Sequence, residues 1–296
     1  MNLHHEAPVS CIEAGFTLRT LSVFSLPELL RAFMHRFLPL LLWCLLPAIA
    51  PGQSLWRIPY QPNQVVLETV VPQYETDRFE GGTGAAFLTG TYSLSSHIEG
   101  VVELPLSHAT APSTSSTALG NPYVGLGIAS TTLPILVEVG ARLPLGDDSI
   151  AREAATGITD PGRTAAFGRN ERSLSALLNV GIFLWPNTSL RLRGGSTYAI
   201  FDDAADAIDR DVRLHYGAQL WRQGEPLTIG LTFTGVGVPS DAGSFAANSR
   251  HHLGATVLLD FDSIALGPFI GVSLDKTVRD VAPYFVGLTL SLSHTN

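Results

Sequence analysis

The stretch "LPILVEVGARLPLGDD", residues 133–148, puts an apolar side chain at every odd position from Leu133 to Leu145, while Glu138 and Arg142 sit at even positions between them. A period of two is the period of a β-strand, because successive side chains point to opposite faces. One face of this strand is therefore continuous hydrocarbon, and the other tolerates charges of both signs. The same pattern recurs. Leu174, Ala176, Leu178, Val180, Ile182 and Leu184 alternate with Ser173, Ser175 and Asn179. Leu190, Leu192, Tyr198 and Ile200 alternate with Arg191, Arg193 and Thr197. Val212, Leu214, Tyr216, Ala218 and Leu220 alternate with Arg213, His215 and Gln219. Leu227, Ile229, Leu231 and Phe233 alternate with Thr228, Gly230, Thr232 and Thr234.

In a soluble sandwich those apolar faces would meet in a core. Two features favour the opposite arrangement. The segments run about 10 to 13 residues, beyond the usual strand of 5 or 6, and match the 9 to 11 that a tilted strand needs to cross a bilayer. An export signal also precedes them. "FLPLLLWCLLPAIA", residues 37–50, follows His35 and Arg36 and leads into the small residues of "AIAPGQS". A basic start, an apolar stretch too short to span and a small-residue exit read as a signal peptide, here residues 34–52 with cleavage after Gly52. Residues 1–33 then read as an upstream piece before a start at Met34, or as an unusually long n-region of the signal, and residues 53–296 as the mature domain. Both cysteines, Cys11 and Cys44, lie in the part expected to be removed, so disulfide or thiol chemistry is not expected in the mature chain.

Only helices and closed barrels satisfy every backbone group in lipid, so many amphipathic strands imply a closed antiparallel barrel. The sequence predicts strands at 63–71, 83–94, 97–106, 121–131, 133–145, 173–184, 188–201, 212–222, 226–236, 252–261, 264–274 and 282–292. Long and short connections alternate between them, as extracellular loops and periplasmic turns do. Twelve strands is an even count, which puts both termini on the periplasmic side. The first strand loses its alternation at Val65-Val66, and ten strands is the fallback. Charged residues make up 15% of the chain and the net charge is −8, which argues against a nucleic-acid partner.

"LGNPYVGLGI" (119–128), followed by "VEVGARLPLGD" (137–147), resembles the meta-pathway phenol-degradation family of outer-membrane transporters. That family shows a Gly-Asp turn before a glycine-rich strand, then a strand ending in a Leu-Pro-x-Gly-Asp-like corner; Asn121 stands here where the family has Asp. The resemblance implies an outer-membrane barrel passing small hydrophobic or aromatic compounds. The last strand, "YFVGLTLSL" (284–292), resembles the C-terminal signal read by the barrel-assembly machinery, with Tyr284, Gly287, Leu290 and Leu292 on its spacing. Its usual terminal aromatic is missing, and "SHTN" follows.

Alternation places His97, Glu99, Glu103, Glu138, Arg142, Arg191, Arg193, Arg213, His215, Gln219 and Asp260 in the interior. Two readings stand open. These residues line a polar channel for a small solute, or they form a salt-bridge network that plugs a narrow barrel acting through its loops. Interior glycines, among them Gly125, Gly140, Gly230, Gly271 and Gly287, either leave room for solute or ease strand bending. No His-x-Ser element suggests a barrel hydrolase, and no catalytic residue is assigned. His251-His252 points to opposite faces of one strand, so no metal site is assigned, and no nucleotide motif or other cofactor site is found. Tyr60, Trp185, Tyr198, Tyr216, Trp221 and Phe261 lie near strand ends, where aromatic girdles mark membrane interfaces. The connection 146–172 is long enough to fold over the mouth or into the lumen and control passage. The expected surroundings are outer-membrane lipid and lipopolysaccharide.

Overall fold

The computed structural model describes residues 57–59, 63–74, 81–130, 132–145, 149–155, 161–202, 208–239, 245 and 248–293. The expected signal peptide, the segment before it and Tyr60 lie outside them. The strands are β1 (Gln64–Gln73), β2 (Gly82–Ser93), β3 (Ile98–Ala111), β4 (Thr114–Leu119), β5 (Tyr123–Ala129), β6 (Ile135–Arg142), β7 (Glu171–Trp185), β8 (Thr188–Asp202), β9 (Ile208–Arg222), β10 (Leu227–Gly237), β11 (Ser249–Phe261), β12 (Ile264–Ser273) and β13 (Tyr284–Ser293). Two short helices, α1 (Ile150–Ala155) and α2 (Lys276–Arg279), and a 3-10 segment (Pro161–Ala166) lie between strands.

Every pairing is antiparallel, and β1 pairs β13 over ten residues from Gln64↔Ser293 to Gln73↔Tyr284, which closes the sheet. The result is a closed 12-stranded antiparallel barrel. β4 is not a thirteenth stave. It pairs only with the far end of β3, and β5 takes over the pairing with the near end. The ends joined by the short connections 94–97, 130–134, 186–187, 223–226 and 262–263 lie opposite those joined by long ones. Both the start of β1 and the end of β13 fall at the short-turn end.

The outer wall carries the apolar alternation. Val137 and Val139 are exposed while Glu138 between them is 1% exposed. Leu88, Leu104, Leu126, Leu231, Leu259 and Leu288 are likewise exposed, on strands all round the barrel. Soluble monomers rarely leave a contiguous apolar surface this large, whereas hydrocarbon solvates it without cost. Asp262, at φ 55°, and Asn187, at φ 63°, take the left-handed backbone that the tight turns joining β11 to β12 and β7 to β8 require.

Three expectations are corrected. Residues 107–120, read as a long loop, form the outer part of β3 and the whole of β4. The alternation there is invisible to hydropathy because both faces are polar or small: His108 pairs Thr117 and Thr110 pairs Ser115. Hydroxyl and imidazole groups join across it, with His108 Nδ1 and Thr117 Oγ1 2.7 Å apart. Several interior glycines, read as solute space or as bending points, instead seat aromatic rings. A Cβ on Gly140 would lie 2.3 Å from the Tyr123 ring, on Gly230 2.2 Å from Trp221, on Gly271 2.1 Å from Phe285 and on Gly287 2.4 Å from Phe269. Each ring lies across a neighbouring strand where only glycine leaves room. Trp221, expected in the girdle, is therefore an interior residue, 2% exposed. Trp185 and Phe261 stand exposed at the short-turn end, and Tyr198 is exposed on the outer wall.

Two substitutions test this arrangement. Val139→Arg puts a cation on the lipid face and is expected to destabilise the barrel by about 2–4 kcal/mol, measured by reversible denaturant unfolding in lipid vesicles. Gly230→Ala drives a methyl into the indole of Trp221 and is expected to cost about 1–3 kcal/mol in the same assay.

Candidate functional site: a polar lumen entered from both ends

Inside the barrel, the charged side chains gather on one arc. Arg142 of β6 donates from Nη2 to Glu103 Oε1 of β3 at 2.5 Å and from Nη1 to the Asn121 carbonyl at 2.9 Å. Glu138 accepts the Tyr123 hydroxyl at 2.7 Å. Glu138 and Arg142 thus find partners elsewhere rather than in each other, Glu138 on the adjacent β5 and Arg142 one strand further on, on β3, as the strand rise of about 3.3 Å over four residues requires. Arg213 of β9 donates to Glu171 of β7 at 2.6 Å and to Asp211 at 3.3 Å. Arg191 and Arg193 of β8 both donate to one acceptor, Asn179 Oδ1, at 3.1 and 2.9 Å.

A cavity of about 80 Å³ opens on this arc, lined by Glu103, Tyr123, Glu138, Arg142, Arg163, Thr164, Ala165, Ser173, Ser175, Leu177, Arg193, Thr197, Arg213, His215, Tyr216, Thr234 and Gly235. At roughly 10–15 Å³ per accommodated water, it holds on the order of six. Six of the residues expected in the interior meet here: Glu103, Glu138, Arg142, Arg193, Arg213 and His215. Glu99, Arg191 and Gln219 are buried in the wall outside the cavity lining, and Asp260 is half-buried near the short-turn end. His97 is a correction. It precedes β3 in the exposed 94–97 turn, with Nδ1 2.6 Å from Ser96 Oγ, because the strand begins one residue later.

The sequence did not single out the residues that fill the rest of the lumen. The connection 146–172 folds inward over its described parts, 149–155 and 161–170. Its Arg163, 6% exposed, forms a salt bridge with Glu68 of β1, reaches Glu103 at 3.3 Å and lies over the Phe87 ring at 4.4 Å. Phe167 packs against Phe87 at 5.8 Å between centroids, within a buried cluster that includes Val70, Ala85, Ala155, Ala166, Phe269 and Phe285. Asn121 holds this insert: its Nδ2 lies within hydrogen-bond distance of the carbonyls of Ala165 (2.9 Å), Gly168 (2.9 Å) and Glu171 (3.3 Å). Its Oδ1 accepts from Arg152 at 2.5 Å. Arg152 also donates to the carbonyls of Gly168 at 2.6 Å, Phe167 at 3.2 Å and Leu145 at 3.2 Å. The neighbouring Gly120 permits the approach, since a Cβ there would lie 2.3 Å from the Ala166 carbonyl oxygen.

From the N-terminal side, Ile58 is buried with Val66, Trp221 and Leu258. Arg57 lies 4.6 Å from the Phe269 ring centroid and 5.2 Å from that of Phe285. These contact residues all face inward, so Arg57 and Ile58 lie inside the barrel. Only Asn121, standing between β4 and β5 where the resembled family has Asp, and the length of 146–172 hinted at any of this.

The two adjacent histidines face opposite ways. His251 lies 2.6 Å from the Tyr216 hydroxyl and 2.9 Å from Asp275 Oδ1, beside Phe233. His252 faces inward, with Nε2 3.0 Å from Ser273 Oγ. That pair comes from opposed positions on β11 and β12, which local spacing does not reveal. The same Ser273 hydroxyl donates to the Ala282 carbonyl at 3.0 Å, so its proton is directed away from the imidazole.

Comparison with protein-family profiles and with curated proteins finds no match. Among solved structures, an outer-membrane channel from Pseudomonas putida F1 is similar over 82% of this chain and 99% of its own, at 13% identity and a TM-score of 0.50. The translocator domain of the autotransporter NalP from Neisseria meningitidis is similar over 93% of this chain and 100% of its own, at 11% identity and a TM-score of 0.49. The NanC porin is similar over 78% of this chain and 100% of its own, at 7% identity and a TM-score of 0.48. The fold is that of bacterial outer-membrane β-barrels, embedded in membrane lipid by its apolar outer wall.

Asn121→Asp tests the hold on the insert. It keeps the shape, removes the Nδ2 donor and sets a carboxylate against three carbonyl oxygens. The folded variant is expected to be cut within 146–172 by added protease, where the parent barrel resists. Equal resistance would show that other contacts hold the insert.

Proposed function

We propose that this protein is an outer-membrane channel for passive passage of small solutes. The single observation that carries this reading is a polar cavity inside a closed barrel whose outer wall is hydrocarbon. Solute enters at the long-loop face, passes the arc of Glu103, Glu138, Arg142, Arg193, Arg213 and His215, and leaves on the periplasmic side, where both termini lie. The resemblance to the phenol-degradation family favours small hydrophobic or aromatic cargo, and the C-terminal strand serves as the assembly signal. The signal peptide, residues 34–52, is removed on export.

A second reading is a barrel with an occluded lumen that acts through its surface. One observation favours it: Arg57 and Ile58 inside the barrel, and Arg163 and Phe167 packed against its wall, fill much of the lumen. Current through the purified protein in planar bilayers separates the two. Stepwise current in the parent protein supports the channel, and Arg163→Ala, which removes the clamp on Glu68 and Glu103, is expected to raise unitary conductance severalfold. Absence of current and of solute flux in both would support the occluded barrel.

A further inference from the structure

We infer that the cavity is a binding site for a small organic carboxylate. The inference deepens the channel reading and rests on it for its biological use. Four guanidinium groups reach the cavity wall, those of Arg142, Arg163, Arg193 and Arg213, against the two carboxylates of Glu103 and Glu138. The remaining carboxylates that orient these arginines stand behind the wall. Glu68 pairs with Arg163, and Glu171 and Asp211 pair with Arg213, yet none of the three lines the cavity. This layering holds Arg163 and Arg213 at the wall from behind, as Asn179 holds Arg193, and guanidinium groups fixed beside a cavity are bidentate donors for an oxyanion.

The uncharged part of the wall agrees. Ser173, Ser175, Thr197 and Thr234 supply hydroxyls that can donate to oxygen acceptors. Tyr123 and Leu177 supply apolar contact, and the Tyr123 ring is held in place by its hydroxyl bond to Glu138 and by Arg142, 5.3 Å from its centroid. A ligand that matches this wall has one carboxylate and a compact apolar body. A cation meets the guanidinium edges, and a neutral alcohol gains no charge-assisted bond.

Calorimetry on the folded, detergent-solubilised barrel tests this with three probes of similar shape: benzoate, benzyl alcohol and benzylammonium. The parent protein is expected to bind benzoate saturably, benzyl alcohol roughly tenfold more weakly, and benzylammonium not at all. Arg193→Gln, with folding checked by heat-modifiable gel migration, is expected to weaken benzoate roughly tenfold. Equal binding of the three probes, no binding of any, or an unchanged benzoate affinity in R193Q would overturn the assignment. The comparison of probes on the parent protein stands even if the variant fails to fold. Calorimetry needs no conduction: benzoate binding without bilayer current would sink the channel reading and leave the site, and current without benzoate binding would do the reverse.

Discussion

In hydrocarbon a backbone N–H or C=O has no water to fall back on, so each membrane-crossing strand of this chain must be hydrogen-bonded on both edges. The seam between β1 and β13 is where that requirement is met last, across more than two hundred residues of sequence. Once the seam closes, the two faces of every strand acquire opposite solvents. The apolar face meets lipid tails, and the other face meets a confined interior of limited volume. Polarity, which in a soluble protein would be spread over an outer surface, is concentrated inside, and the interior chemistry follows from that concentration.

An enclosed set of charges must be internally matched, because removing one partner of a buried pair leaves an uncompensated ion at a cost of about 3–5 kcal/mol. The pairs Arg142–Glu103, Arg163–Glu68 and Arg213–Glu171 each join different elements, so each also fixes how those elements stand relative to one another. Glu103 is the shared member, accepting from Arg142 of the wall and Arg163 of the insert. The insert is therefore tied into the same electrostatic network as the strands.

How far the sequence revealed this depends on what repeats. The strands were legible because lipid imposes a one-sided demand at every second residue, and Glu138 and Arg142 could be placed inside by parity alone. Where lipid ends, the demand ends, and the polar hairpin of β3 and β4 read as a loop. Parity also gives direction without height, which is why His97 was assigned to the lumen although it lies in an exposed turn. The length of 146–172 allowed an insert, but its contacts and those of residues 57–58 were not legible. Arg163, Phe167 and Ile58 carry no periodic pattern, and their partners Glu68, Phe87 and Trp221 are distant in sequence. Asn121 showed only as a departure from a family pattern, and its meaning needs the three carbonyls that surround its amide.

The distribution of arginines explains why the inserts settle where they do. The strand arginines that enter the interior, Arg142, Arg191, Arg193 and Arg213, lie on β6, β8 and β9. Among the described residues, the facing arc of β10–β13, β1 and β2 carries no buried arginine or lysine, but it presents Phe87, Phe269 and Phe285. An aromatic face attracts a guanidinium without adding a negative charge. The inserted Arg57 and Arg163 dock on those rings, so the barrel takes up two more cations with only Glu68 added among the buried carboxylates of that arc. Glu103 of the charged arc is shared with an inserted arginine, and the space beside Arg193 is larger, at about 80 Å³, than the roughly 20 Å³ left beside Arg57, Phe269 and Phe285. Occupancy of the lumen is thus lopsided: more tightly packed against the rings than beside the strand arginines.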